Sequence, residues 1–146
     1  HEILPHEGDD RLTADETYNY QYIHSVFHEN EIESGFYHDL KQSGIFRKLK
    51  VRALCRVKFN SICREEKIIT HGFHQDIYFD NSVEREDGVK TSILYINTND
   101  GFTAFENGSK IKSVANRLVT FPVSYSIFFF SFRTIRYICS VIYYIF

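Results

Sequence analysis

Turn signals recur at short intervals through the second half of the chain, and they limit the elements between them to a few residues each. They are Asp87-Gly88, Asn99-Asp100-Gly101 and Asn107-Gly108. An Asn-Gly pair is typical of a tight hairpin because both residues tolerate positive φ. We predict short strands at 77–79, 91–97, 103–106, 110–115 and 118–121. Strands this close together indicate a β-sandwich or a β-barrel.

A further strand is predicted at 51–59, where two kinds of side chain alternate. Val51, Ala53, Cys55, Val57 and Phe59 alternate with Arg52, Leu54, Arg56 and Lys58. A period of two is typical of a half-buried strand. We expect one face of this strand to be apolar and the other basic. The aromatic share of 16% also suits strands, because flat side chains pack well on a pleated surface.

The first 50 residues differ from the rest, since they are polar and mixed in charge. Loosely helical spacing of apolar residues predicts two short helices, at 15–27 and 32–49. Thr13 and Glu16 fit a capping box at the start of the first helix, and Gly44 is expected to end or interrupt the second. With 146 residues there is room for one domain. We divide it into an N-terminal helical part, 1–50, and a β core, 51–146.

Charge and cysteine content limit the partners and the compartment. The chain has 17 basic and 19 acidic residues, which argues against a nucleic-acid partner because phosphate binding needs clustered Lys and Arg. Cys55, Cys63 and Cys139 are an odd number at spacings that match no zinc or disulfide framework. We interpret them as buried reduced thiols and expect a cytoplasmic protein.

The segment 124–146 has no acidic residue, no Gly and no Pro, and its only charges are Arg133 and Arg136. Two arginines near the middle of a transmembrane helix would each cost a few kcal/mol, so we do not expect a membrane partner. A pair of buried strands suits the β-branched and aromatic residues. The abrupt change in composition leaves a third alternative, a shifted reading frame.

The sequence His74-Gln75-Asp76 is a candidate metal-binding motif, because residues i and i+2 of an extended segment project to one face and can bind one metal ion. A His-x-Asp sequence alone is common on protein surfaces. Its context makes it more specific: ILYIN at 93–97, G-x-T-x-F at 101–105 and SVANRLVTFP at 113–122 follow in that order.

This ordered set resembles the Fe(II)- and 2-oxoglutarate-dependent dioxygenases of the prolyl 4-hydroxylase-like group, in particular small versions associated with phage. The resemblance covers about 51–122. It implies a mainly β fold of the α+β type, a double-stranded β-helix or jelly-roll with the N-terminal helices packed outside. It also implies Fe(II) and 2-oxoglutarate as cofactors, with O2 as co-substrate, and it allows ascorbate.

The resemblance assigns site residues one by one. His74 and Asp76 correspond to the first histidine and the carboxylate that bind iron. Tyr95 corresponds to a tyrosine that bonds the distal carboxylate of 2-oxoglutarate, although a core tyrosine with a satisfied hydroxyl is the alternative. Arg136 is the expected arginine for that carboxylate, and Arg133 is a weaker candidate. A guanidinium suits a carboxylate because two parallel N–H bonds can form.

The chain departs from the family at the second iron-binding histidine. The aligned position is Ile127, and all seven histidines, at 1, 6, 24, 28, 38, 71 and 74, lie at or before the His-x-Asp motif. The site is therefore degenerate, or completed by a residue such as His71, or followed by a C-terminal segment that is not the natural one. We favour a degenerate or altered site over one completed by His71.

The implied function is hydroxylation of an unactivated C–H bond, with a prolyl or other peptidyl side chain as the substrate by analogy. The alternative is a catalytically degenerate jelly-roll that serves as a binding or structural module. A membrane-anchored protein using the aromatic C-terminal segment is a third and weaker hypothesis.

Overall fold

The computed structural model describes residues 21–63, 69–70, 88–131 and 135–145. Ten strands and two helices lie in these ranges. In chain order they are β1 (Gln21–His28), β2 (Glu31–Ile32), α1 (Phe36–Gln42), α2 (Ile45–Lys48), β3 (Ala53–Ile62), β4 (Ile69–Thr70), β5 (Val89–Tyr95), β6 (Phe102–Phe105), β7 (Lys110–Lys112), β8 (Leu118–Pro122), β9 (Ile127–Ser131) and β10 (Arg136–Tyr144). The predicted strand at 77–79 and the capping box at Thr13 lie outside the described residues.

The strands form two antiparallel sheets. The larger has the order β2-β1-β3-β10-β5-β8 and the smaller has the order β4-β9-β6-β7. The eight strands from β3 to β10 thus divide equally between the sheets, and chain neighbours such as β9 and β10 belong to different sheets. This arrangement is the jelly-roll, so the predicted fold class is confirmed.

The helix predicted at 15–27 is wrong for the residues that the structure describes. Gln21–His28 is a strand, β1, which pairs with β3 near the edge of the larger sheet. Ile23, Val26 and Phe27 have the i, i+3, i+4 spacing of a helix face. In the strand these residues do not share one face, because Ile23 is 55% exposed. A register shift between Ser25 and Phe27, a β-bulge that breaks the alternation of the strand, lets both Val26 and Phe27 pack in the core.

The second predicted helix, 32–49, is present as the two short helices α1 and α2. Gly44 separates them with φ of 77°, a left-handed conformation that favours glycine. The expected interruption at Gly44 is therefore confirmed. Ile32 lies in β2 and not in the helix.

Strand β10 runs through the centre of the larger sheet, between β3 and β5, and its two faces pack differently. Ile138 packs against Phe105 and Ile127 of the smaller sheet. The alternate residues Cys139, Val141 and Tyr143 form a second cluster with Val26 and Val57, against which side chains of α1 and α2 pack, namely Tyr37, Leu40 and Phe46. The helices therefore cover the outer face of the larger sheet, as the resemblance implies.

The aromatic C-terminal segment contributes β9 and β10 to the two sheets. Of the three interpretations of this segment, the pair of strands agrees with the structure. In the described part of the chain, no helix is long and apolar enough to span a membrane.

Candidate functional site

A buried polar cluster lies at one end of the space between the two sheets. Three strands supply it: Tyr95 is the last residue of β5, Thr103 lies in β6, and Arg136 is the first residue of β10. The exposed fractions of Tyr95 and Thr103 are 0% and that of Arg136 is 1%. Arg136 is the largest fully buried side chain in the described ranges. We call Tyr95, Thr103 and Arg136 the arginine cluster.

Hydrogen bonds connect the three side chains through the threonine hydroxyl. The Tyr95 hydroxyl donates to Thr103 Oγ1 at 2.7 Å, and Arg136 Nη2 donates to the same oxygen at 2.7 Å. Arg136 Nη1 donates to the carbonyl oxygen of Phe102 at 3.1 Å. The guanidinium carbon lies 5.3 Å from the centre of the Tyr95 ring, within the range of a cation–π contact. The cluster thus holds the planar guanidinium in one orientation.

Burial changes the titration of both ionisable groups. Removal from water lowers the pKa of Arg136 to about 10, and the interaction with Tyr95 opposes this change. Burial also raises the pKa of Tyr95, while the hydrogen bond with Thr103 and the nearby Arg136 act in the other direction. Both directions mean that the charged forms are disfavoured there. A buried guanidinium of this kind favours an anionic ligand beside it.

Asn97 positions the start of β10. Its side-chain Nδ2 donates to the Ile135 carbonyl at 2.8 Å, and its Oδ1 accepts from the Tyr137 backbone N–H at 2.9 Å. These two residues flank Arg136, so one amide side chain fixes the backbone on both sides of the arginine. Tyr95 and Asn97 belong to the same ILYIN sequence, which ties the end of β5 to the beginning of β10.

Ile127 lies where the resemblance expects the second iron-binding histidine. The side chain is 0% exposed and packs in an apolar cluster with Ile93, Phe121 and Ile138. Its backbone lies opposite Phe105 of β6. The position therefore faces the interior, as a metal ligand would, but it supplies only hydrocarbon.

The other predicted metal ligands, His74 and Asp76, lie outside the described residues, as do His71 and Arg133. Within the described ranges, no group of three or more His, Cys, Asp or Glu side chains could hold a metal ion. The assignments of His74 and Asp76 therefore stay predictions. The structure does bring Tyr95 and Arg136 together.

Thr103 was not assigned a role from the sequence, although it lies at the centre of the arginine cluster. Its signal was present as the threonine of the G-x-T-x-F sequence at 101–105. The turn before it is fixed by Asn99, whose Oδ1 accepts from the Gly101 N–H at 2.9 Å. A threonine in a short strand looks like ordinary β-propensity until the partner strand is known.

Solved structures similar to this chain include oxygenases. No model of a known protein family matches the sequence, and no curated protein matches it. An oxidoreductase of the 2OG-Fe(II) oxygenase family from Burkholderia pseudomallei superposes with a TM-score of 0.60 at 10% identity, covering 85% of this chain and 66% of that one. The viral collagen prolyl hydroxylase of Paramecium Bursaria Chlorella virus-1, in its 2OG complex, gives 0.51 at 11% identity, covering 88% and 80%.

The EutQ protein of Clostridium difficile gives a TM-score of 0.47 at 14% identity, covering 92% of this chain and 76% of that one. At such identities a likeness between structures shows the fold alone. The chain has a jelly-roll fold.

Proposed function

We propose that the chain binds 2-oxoglutarate, with the distal carboxylate of this ligand held by Arg136 and Tyr95. With Fe(II) on His74 and Asp76, it would act as an oxygenase that hydroxylates an unactivated C–H bond of a prolyl or other peptidyl side chain. O2 is the co-substrate, and ascorbate is allowed as a reductant. The observation that carries the proposal is the buried arginine cluster inside a jelly-roll.

The arginine cluster suits a carboxylate for two reasons. First, a carboxylate beside Arg136 offsets the unfavourable burial of the guanidinium, and charge-assisted hydrogen bonds of this type are stronger than neutral ones. Second, the Tyr95 hydroxyl donates to Thr103 at 2.7 Å and can turn the same proton toward a ligand oxygen. Three side chains from three strands would thus orient one end of the ligand while the sheets exclude water.

The residues present fit iron less well than they fit a carboxylate. Iron in such a site would supply the oxygen chemistry, which no protein side chain can perform. Ile127 cannot bind a metal, so one ligand of the usual two-histidine, one-carboxylate set is replaced by packed hydrocarbon. The proposed oxygenase activity therefore requires His74 and Asp76 to hold iron without a ligand at position 127.

The second candidate function is a jelly-roll binding module that has lost its chemistry. The burial of Ile127 in the apolar cluster favours this candidate, because the side chain at this position stabilises the core by packing and does not require a bound metal. Such a module would still bind 2-oxoglutarate at the arginine cluster. The two candidates share the binding of 2-oxoglutarate and differ in Fe(II) binding and turnover.

Anaerobic calorimetry separates them. Fe(II) is titrated into the full chain with 2-oxoglutarate present, and His74→Ala serves as the control. An oxygenase binds Fe(II) in the micromolar range, loses this binding in the variant, and forms succinate when air is admitted. The binding module takes up 2-oxoglutarate without binding Fe(II) or forming succinate. Absence of 2-oxoglutarate binding by the purified chain would refute both candidates.

A further inference from the structure

A second set of buried polar side chains lies on the larger sheet, away from the arginine cluster. It consists of Asn60 in β3, Ser140 in β10 and Thr91 in β5, with exposed fractions of 4%, 3% and 0%. These three strands are adjacent in the sheet. We call the three residues the polar ledge.

The register of the strands places the three residues in a diagonal row. Asn60 lies opposite Ile138, Ser140 lies between Lys58 and Ile93, and Thr91 lies opposite Ile142. Each step across the sheet therefore moves two residues along β10. Adjacent members of the row lie on one face, about 7–8 Å apart, whereas Asn60 and Thr91 are separated by two strand spacings and four residues of β10.

That face points into the space between the sheets. Side chains two residues apart on a strand share a face. Ile138, which lies two residues before Ser140, packs against Phe105 and Ile127 of the smaller sheet. The polar ledge therefore faces the interior, whereas Cys139 and Val141 face the helices.

The ledge has hydrogen-bonding groups that nothing in the described part of the protein uses. Asn60 Oδ1, Thr91 Oγ1 and Ser140 Oγ are buried and have no hydrogen-bond partner there. Buried polar atoms are almost always paired, because leaving them unpaired costs free energy. Three such atoms in one row indicate that a ligand or water completes them.

2-Oxoglutarate bound at the arginine cluster cannot reach the whole ledge. Ser140 is four residues from Arg136 along β10, which is about 13 Å in an extended strand. The five-carbon chain of 2-oxoglutarate spans about 5 Å, given C–C bonds of about 1.5 Å. Thr91 lies farther from Arg136 again, since it is opposite Ile142. The ledge is thus suited to a different molecule in the same interior.

We propose that the polar ledge binds the uncharged amide groups of an extended part of the substrate, such as successive peptide groups. Asparagine offers an acceptor and donors in one plane, which matches the C=O and N–H of an amide, and the hydroxyls of Ser140 and Thr91 can each donate or accept. None of the three side chains carries a charge, so the ledge offers no counterion to a charged group of the substrate. This proposal deepens the proposed function and rests on it.

The test uses the metal-free full chain, saturated with 2-oxoglutarate, and N-acetylproline methylamide as the probe. In 15N-labelled protein the side-chain NH2 resonances of Asn60, assigned with Asn60→Leu, are expected to shift on addition of the probe. Ser140→Ala and Thr91→Val are expected to weaken probe binding at least tenfold. Because they remove unpaired polar atoms, they are expected to leave the melting temperature unchanged or raise it. Ser113→Ala removes a buried, unpartnered hydroxyl elsewhere and serves as the matched control.

Binding of 2-oxoglutarate is measured separately in every variant. If the ledge variants bind the probe as well as the wild type, or if the Asn60 resonances do not move, water alone fills the ledge and the proposal is wrong. If the probe shifts Asn60 while 2-oxoglutarate fails to bind, the ledge stands as an amide site and the proposed function fails. The two failures are therefore distinguishable.

Discussion

Arg136→Met tests whether the buried guanidinium serves a ligand or the fold. Methionine keeps an unbranched chain at the site but removes the charge and the hydrogen bonds to Thr103 and Phe102. Burial lowers the pKa of Arg136 to about 10, which corresponds to about 3 kcal/mol of unfavourable free energy for the charged form. The two lost hydrogen bonds are worth about 1.5 kcal/mol each. These effects nearly cancel, and the lost cation–π contact with Tyr95 adds about 1 kcal/mol, so we expect the free energy of unfolding to fall by about 1 kcal/mol.

The same substitution should remove most of the affinity for 2-oxoglutarate. A guanidinium–carboxylate pair makes two charge-assisted hydrogen bonds, and their loss costs at least about 3 kcal/mol. This corresponds to binding weaker by a factor of about 100 or more.

The free energy of unfolding is measured by urea denaturation monitored by circular dichroism, and the affinity for 2-oxoglutarate is measured by calorimetry. The control is Arg52→Met, which replaces an exposed arginine. A loss of stability above about 3 kcal/mol would show that Arg136 is structural. Affinity for 2-oxoglutarate within threefold of the wild type would refute the assignment of the carboxylate site.

Three further predictions follow from the same geometry. Asn97→Ala removes both hydrogen bonds that flank Arg136, so calorimetry should show 2-oxoglutarate binding that is about tenfold weaker. Binding as tight as in the wild type would exclude a positioning role for Asn97. Ile127→Ala should lower the free energy of unfolding by about 3 kcal/mol because the side chain is fully buried. The control Ile135→Ala removes a side chain that is 43% exposed and should change this free energy by less than about 0.5 kcal/mol. Equal effects of the two substitutions in urea unfolding would contradict this packing. Above pH 10 the free energy of unfolding of the wild type should rise relative to that of Arg136→Met, because the folded chain releases the arginine proton at lower pH than the unfolded chain does. Urea unfolding at pH 9 and pH 10.5 measures this difference. A difference that falls between these two pH values would contradict the prediction.

The parts of the fold that depend on local sequence could be predicted, and those that depend on strand pairing could not. Turns such as Asn107-Gly108 and the alternation after Val51 indicate short strands in a sandwich or barrel, and the resemblance implies the jelly-roll. In β1 the helical spacing of Ile23, Val26 and Phe27 is misleading, because Ile23 is exposed and a bulge between Ser25 and Phe27 lets both Val26 and Phe27 pack in the core. No local pattern distinguishes a bulged strand from a short amphipathic helix.

The candidate site divides in the same way. Motif order and the resemblance selected Tyr95 and Arg136, and the structure places their side chains in contact. The central position of Thr103 follows from how β6 lies against β5 and β10, which the sequence does not state. The orientation of the polar ledge depends on the register of strand pairing, because a slip of one residue would turn Ser140 toward the helices. Its members had no signal in the sequence beyond single polar residues within strands.

A crystal structure of the full chain grown with saturating 2-oxoglutarate tests the central claim most directly. The account predicts one ligand carboxylate within hydrogen-bond distance of Arg136 Nη1 or Nη2 and of the Tyr95 hydroxyl, with the rest of the molecule extending between the sheets toward Ile127. A ligand bound elsewhere, or an arginine cluster that keeps its Thr103 and Phe102 contacts with no ligand beside it, would contradict the account.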